Sequence, residues 1–252
     1  MINLMLGDCL ERMKEIPDGS VDMILCDLPY GTTACKWDSV IPFEPLWAEY
    51  RRVTKRNAAI VLTASQPFTS ALVMSAPDIF KYCWVWEKTR ATGHMHAKNK
   101  PLKSHEDIAV FSTGTTVHSV QSSIRMQYYP QGTIAVDRVS YRPSREKKGS
   151  DVVGSLRPSH KNSYRQTESN YPRSVLHVPS EHNVGAFHPT QKPVALMEYL
   201  IKTYTNEGET VLDNCMGSGT VGVACKNLNR KFIGIEKDET YFKIAQDRIA
   251  AI

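Results

Sequence analysis

Thr210-Val211-Leu212-Asp213-Asn214-Cys215-Met216-Gly217-Ser218-Gly219-Thr220 is a short apolar strand that breaks at an acid, passes two glycines and enters a helix-like stretch, Val221 to Leu228. Glycines at a strand-to-helix turn let the backbone come close to a ligand. The next apolar run, Phe232 to Ile235, ends in Glu236, and an acid about 20 residues past such a turn can take a pair of ribose hydroxyls. The segment therefore reads as a nucleotide-type cofactor site, although a Gly-x-Gly loop is also an ordinary tight turn. After one more helical stretch, Tyr241 to Ile249, the chain stops. A doubly wound sheet that starts this way needs a third strand beside the second, and no sequence is left to supply it.

The N-terminal segment can. Ile2 to Leu6 reads as a buried strand ending at Gly7-Asp8, Leu10 to Ile16 as an amphipathic helix, Pro17 to Ser20 as a turn and Val21 to Cys26 as a strand with Asp27 at its exit. Phe43 to Lys55 has helical spacing and Ala58 to Leu62 is a further strand. Strand and helix alternate, which predicts a parallel sheet. The expected fold is α/β: a circularly permuted Rossmann-like sheet with helices on both faces. Its C-terminal segment holds the first two strands and its N-terminal segment the third and onward. Asp213, Glu236 and Asp8 then lie at neighbouring carboxyl ends, with Asp27 on the next strand along, and ligands of open parallel sheets bind at that edge. Pro67 to Met74 suggests a helix, Tyr82 to Trp86 and Ile108 to Phe111 strands, and Val194 to Tyr204 a helix. Trp84 and Trp86, two residues apart, should share one face of their strand.

Composition bounds the partners. At 252 residues and 41% hydrophobic, the chain can bury a large core. No basic-then-apolar leader opens it and no window approaches the roughly 18 apolar residues of a membrane span, so the cytoplasm is expected. Six cysteines (Cys9, Cys26, Cys35, Cys83, Cys215, Cys225) lie in hydrophobic stretches without a Cys-x-x-Cys pair, and read as reduced core residues. His94, His96 and His105 read as surface or core histidines, and no metal is expected.

The net charge of +5 identifies no partner by itself; its distribution matters more. Between Gly114 and Gly185 the pattern turns to Ser, Tyr, Pro and bases. Arg138, Arg142, Arg145, Lys147, Lys148, Arg157, Lys161, Arg165 and Arg173 outnumber the acids, and Tyr128, Tyr129, Tyr141, Tyr164 and Tyr171 are interleaved with them. The stretch is either a solvated surface insertion or a phosphate-contacting surface with aromatic platforms. Three segments follow: 1–113 and 186–252 as two halves of one core, and 114–185 as an insertion.

Asp27-Leu28-Pro29-Tyr30 puts an acid, a stiff turn and an aromatic ring together at a strand's carboxyl end, a pocket suited to a flat amine. Taken alone the tetrapeptide is also an ordinary turn. Together with Gly7-Asp8-Cys9-Leu10, Trp37-Asp38, Arg51-Arg52-Val53, His188-Pro189-Thr190-Gln191-Lys192-Pro193 and the 213–220 loop with Glu236, it resembles the beta-class, amino-methylating DNA methyltransferases that use S-adenosylmethionine. The resemblance covers most of 1–113 and 188–252.

That resemblance implies roles. The loop through Asp213, Cys215, Gly217, Gly219 and Thr220 lies against the methionine part of the cofactor, Glu236 takes the ribose hydroxyls and Asp8 the adenine amine, while Thr190 and Lys192 complete the cofactor site, Lys192 facing its carboxylate. Asp27 and the Leu28 carbonyl, stiffened by Pro29, accept the N–H bonds of an exocyclic amine, and Tyr30 stacks on a target base flipped out of double-stranded DNA. Arg138, Arg142, Arg145, Lys147, Lys148, Arg157, Lys161 and Arg165 would contact DNA. The chain departs from the family pattern at Asn214-Cys215, where a Pro-Phe pair is usual, and at Leu28, where proline is commonest. It has no Pro-Cys pair, which argues against carbon-5 cytosine chemistry. An aspartate opening the tetrapeptide favours adenine N6; cytosine N4 is the alternative. Methylation of RNA or of a protein amide and a non-catalytic DNA-binding module on the same scaffold are the other readings. A homodimer, a restriction-endonuclease partner and a bacterial or phage origin are all compatible with this sequence.

Overall fold

The computed structural model describes residues 1–32, 38–117, 122–141, 163–179 and 191–252. Its strands are β1 (Ile2–Leu6), β2 (Val21–Asp27), β3 (Thr54–Ala64), β4 (Phe80–Thr92), β5 (Lys103–Phe111), β6 (Ile134–Tyr141), β7 (Ser163–Ser169), β8 (Val175–His177), β9 (Thr210–Asp213) and β10 (Lys231–Glu236). Its α-helices are α1 (Cys9–Arg12), α2 (Phe43–Val53), α3 (Phe68–Ser75), α4 (Val194–Tyr204), α5 (Thr220–Asn227) and α6 (Glu239–Ala250).

The N-terminal strand does complete the C-terminal pair. β1 runs parallel to β10, with Ile2 opposite Phe232 and Leu6 opposite Glu236, and β10 runs parallel to β9. The permuted connection is thus a property of the fold. The sheet order is β1-β10-β9-β2-β3-β5-β4-β8, so β2 lies beside β9 and not beside β1 as the linear reading had it. Burial gives the reason. β2 is enclosed along Val21–Cys26 and suits the centre of a sheet, whereas β1 is exposed or half-buried throughout and suits an edge. The topological switch point therefore falls between β9 and β2, where open α/β sheets bind ligands.

A second difference concerns direction. β5 is antiparallel to β3 and to β4, so the sheet is mostly, not wholly, parallel. β4 and β5 are far longer than the apolar runs that announced them, and the link between them holds one short 3₁₀ turn at His94–His96. A link that short closes an antiparallel pair, while a parallel return needs a crossover of a dozen or more residues.

Alternate residues feed two cores. Met23, Leu25, Ala59, Val61 and Val211 face a layer formed by α4, α5 and α6; Ile24, Cys26, Ile60, Leu62 and Leu212 face one formed by α1, α2 and α3. Trp84 and Trp86 share the first of these faces. There Trp84 Nε1 donates to Tyr204 Oη (2.7 Å) and Trp86 Nε1 to the Val178 carbonyl (2.8 Å), so both indoles are satisfied in the core. Cys9, Cys26 and Cys225 are buried free thiols, Cys83 and Cys215 are half-buried ones, and Cys35 lies outside the described residues.

The chain forms two compact units, Met1–Tyr129 with Ser174–Ile252, and Pro130–Arg173. The second contains the antiparallel pair β6/β7. The compositional change begins earlier, at Gly114, and the chain up to Tyr129 runs along the first unit: Gln127 N donates to Asn57 O (3.0 Å) and Tyr129 N to Thr203 O (2.7 Å).

Candidate active site

Asp27 closes β2 at the switch point. Ile24 pairs with Leu212, so three residues further on Asp27 lies level with the start of the loop that follows Asp213. Its Oδ1 accepts from Tyr30 Oη (2.7 Å) and from the hydroxyl of Thr63, its direct partner on β3. Its Oδ2 accepts from Lys192 Nζ (2.7 Å). The tetrapeptide is anchored from behind by Leu28, which is buried in the second core. It is held from in front by Asp38, whose two carboxylate oxygens accept from Gly31 N (2.8 Å) and Thr32 N (2.9 Å). Gly31 has φ +67°, and a Cβ there would meet Val40 Cγ2 at 2.9 Å, so this turn requires glycine. Tyr30 stacks on Phe68 with ring centroids 5.1 Å apart, which fixes the ring plane.

The electrostatics set the protonation states. Burial drives the Asp27 carboxyl upward, but the Lys192 charge and the hydrogen bonds from Lys192, Thr63 and Tyr30 outweigh it and hold the group below the usual carboxylate range. Burial and the nearby charges of Asp27 and Glu106 push the Tyr30 phenol well up, so it stays protonated and donates. Lys192 loses by burial yet is held above its ordinary value by Asp27 and Glu106. At neutral pH the cluster is a carboxylate, a phenol and an ammonium. A second acid backs it: Glu106 accepts from Lys88 through Oε1, while its buried Oε2 has no hydrogen-bond partner and lies 3.3 Å from Lys192 Nζ. Next to Glu106 opens a cavity of about 280 Å³ lined by Ser65, Gln66, Lys103, His105, Glu106 and Asp107.

The glycine loop sits on Glu236. Gly217 N donates to Glu236 Oε2, and Lys237 N and Asp238 N to Oε1, each at 2.8 Å. Gly217 has φ +50° with open space where a Cβ would stand, which leaves a cradle for a ligand. Gly219 has φ +79°, and its missing Cβ makes room for Ala245 of α6, whose Cβ would be 2.9 Å away. Arg248 binds the loop through Ser218 O (2.6 Å) and Ser218 Oγ (2.8 Å), beside Thr220 at the start of α5. Buried Asp213 accepts from Cys215 N (3.1 Å), and its carboxyl is raised to about 7, chiefly by burial. At the unusual Asn214-Cys215 pair, buried Asn214 accepts from Tyr50 Oη (2.6 Å), which fastens the loop to α2. Asp8 caps α1 by accepting from Leu10 N (3.0 Å), and its Oδ2 lies 3.2 Å from Lys237 Nζ. Its carboxylate remains half exposed at the strand edge.

Two adjacent residues join the halves of the site. Gln191 Oε1 accepts from Ser218 Oγ (3.4 Å) in the glycine loop, and Lys192 reaches Asp27. Thr190 lies outside the described residues, as do Trp37 and, among the basic candidates, Arg142, Arg145, Lys147, Lys148, Arg157 and Lys161. Arg138 and Arg165 are exposed on β6 and β7, where Arg165 pairs with Asp137 (2.6 Å). His94, His96 and His105 are exposed. Thr63, Phe68, Glu106, Lys88 and Tyr50 were not anticipated. Thr63 left a signal, being the polar residue that ends the apolar run Ala58 to Leu62; the others left none.

Comparison with known proteins agrees with this geometry. A family model described as "DNA methylase", of the N6/N4 type, matches residues 21–247. The chain is 27% identical over 259 residues to the Type II methyltransferase M.HpaI of Haemophilus parainfluenzae, covering 98% of this chain and 73% of that protein. It is 52% identical over 64 residues to the Type II methyltransferase M2.DpnII of Streptococcus pneumoniae, a match that spans 25% of this chain and 24% of that protein. Among solved structures, the M1.HpyAVI-SAM complex superposes with a TM-score of 0.64 at 25% identity, over 99% of both chains. The cytosine-N4-specific PvuII DNA methyltransferase superposes with a TM-score of 0.63 at 14% identity, over 98% of this chain and 86% of that one, and this likeness concerns the fold.

Proposed function

The chain belongs to the N6/N4 DNA methylase family, and from that premise we propose that it transfers a methyl group from S-adenosylmethionine to the exocyclic N6 of an adenine flipped out of double-stranded DNA. The observation that carries this reading is the position of Asp27, an anionic acceptor held by Thr63, Tyr30 and Lys192 at the strand end next to the glycine loop.

An exocyclic amine is a poor nucleophile because its lone pair is delocalised into the ring. Asp27 Oδ2 and the Leu28 carbonyl accept its two N–H bonds, which favours a pyramidal nitrogen and frees the lone pair. The gain comes from fixed acceptors and proximity, with no covalent enzyme intermediate. Tyr30, braced by Phe68, supplies a flat face for the base. The open cradle at Gly217 fits the cofactor, with Asp8, Asp213, Cys215, Gly219, Thr220 and Glu236 around it. When bound, S-adenosylmethionine supplies an electrophilic sulfonium methyl. Once the nitrogen is methylated it is strongly acidic, so a weak base such as Asp27 suffices to take its proton.

The basic stretch 114–185 is the target-recognition region, with the eight arginines and lysines from Arg138 to Arg165 on phosphates. An aspartate at position 27 supports adenine over cytosine. The test is incorporation of labelled methyl groups from S-adenosylmethionine into unmethylated DNA by the wild type and by Asp27→Ala. Label should enter with the wild type and be lost with the variant; equal incorporation by both would refute the assignment.

A further inference from the structure

Lys192, which the resemblance set facing the cofactor carboxylate, meets Asp27 in this structure. Its ammonium donates to Asp27 Oδ2 at 2.7 Å and lies 5.9 Å from the centroid of the Tyr30 ring. Asp27 Oδ1 already accepts two hydroxyls, from Tyr30 and Thr63, which fill its lone-pair directions, so an incoming amine must use Oδ2. An amine on Oδ2 belonging to a base stacked on Tyr30 occupies the volume that the Lys192 ammonium holds. We propose that Lys192 is a surrogate for the target amine: it keeps Asp27 and Tyr30 arranged for an N–H donor and yields its place to the base by turning onto Glu106. This rests on the reading of Asp27 as the acceptor of the target amine.

Glu106 is built to receive it. Its side chain is 11% exposed, Lys88 satisfies Oε1, and Oε2 is buried with no hydrogen-bond partner. Its contact with Lys192 at 3.3 Å is an ion pair without a hydrogen bond, and a buried acceptor left short of a hydrogen bond gains free energy when one forms. Lys192 Nζ is already 3.3 Å from that oxygen, so when the flexible stem swings the ammonium away from Asp27 it stays within reach of a full hydrogen bond of about 2.8 Å to Glu106. Because the ammonium has three donors on a flexible stem, it can exchange one carboxylate for the other without losing its charge partner. The exchange keeps the ion pair intact, which a move into solvent or into the apolar core would not.

The test is a steady-state comparison of Glu106→Gln, Glu106→Asp, Lys192→Met and the double variant Lys192→Met/Glu106→Gln at saturating S-adenosylmethionine. Neutralising Glu106 leaves an amide acceptor but takes the charge from the second seat, which biases Lys192 towards Asp27. E106Q should raise the KM for DNA about tenfold with kcat within about threefold and cofactor affinity unchanged, while E106D stays near the wild type. Removing the lysine relieves the competition, so the double variant should have a lower KM for DNA than E106Q. If Glu106 merely stabilises the fold, the double variant is no better than E106Q, and that outcome overturns the proposal. So does an E106Q enzyme with unchanged KM. Methyl transfer by Asp27→Ala would defeat the functional reading itself; loss of transfer in that variant with a silent E106Q would defeat this inference alone.

Discussion

Two acids at the same sheet edge, half-buried Asp27 and buried Asp213, are held in opposite protonation regimes. Asp27 is depressed because Lys192, Thr63 and Tyr30 outweigh its burial. Replacing Lys192 by methionine removes the largest of those opposing influences, so the carboxyl rises. Transfer requires the anion, and the acid limb of the kcat/KM profile should therefore move to higher pH in Lys192→Met; an unmoved limb would contradict the assignment of Asp27. Asp213 behaves the other way, with burial lifting it to about 7. A carboxyl raised in the folded state contributes stability that is full below its unfolded value near 4 and lost as pH rises through about 7. The ionised form is thus a liability in neutral and alkaline solution. Asp213→Asn keeps an acceptor for Cys215 N, and thermal unfolding should show it more stable than the wild type by about 2 kcal/mol at pH 8, with the gain shrinking towards pH 5. A gain independent of pH would show that the group is not raised.

At the level of elements, the two glycines of the cofactor loop separate ligand contact from packing. Both have positive φ, so either alanine replacement costs about 1–2 kcal/mol in backbone strain. A methyl at 219 would also press on Ala245 and Ile249 of α6, whereas a methyl at 217 enters open space. Gly219→Ala should lower the melting temperature more than Gly217→Ala by the equivalent of about 1–3 kcal/mol of overpacking. Gly217→Ala should lose cofactor affinity at the smaller cost in stability, as calorimetric titration with S-adenosylmethionine would report. These elements were legible in the sequence where a periodic run met a turn signal. The 210–220 strand-turn-helix and the alternation from Ile2 to Leu62 identified the α/β class and the joining of the two chain ends. What stayed hidden was non-local. The place of β2 beside β9 depends on which strand is enclosed on both faces, and the antiparallel β4/β5 pair on the length of a link whose polar residues look like loop. Thr63 and Glu106 matter only through partners remote in the chain, which no spacing announces.

On the scale of the whole molecule, the fold brings an N-terminal acid and a C-terminal glycine loop to one edge, and Gln191-Lys192 joins them. Among the described residues, both hydrophobic cores draw their buried members from outside Pro130–Arg173. Replacing that unit with a short flexible linker should leave cooperative thermal unfolding and cofactor binding in place while abolishing DNA methylation. Loss of cooperative unfolding would show that the core depends on it. The most direct measurement of the central claim is mass spectrometry of nucleosides from unmethylated DNA incubated with S-adenosylmethionine and either the wild type or Asp27→Ala. N6-methyladenine should form with the wild type and be absent with the variant; N4-methylcytosine in its place, or N6-methyladenine from both proteins, would contradict the account.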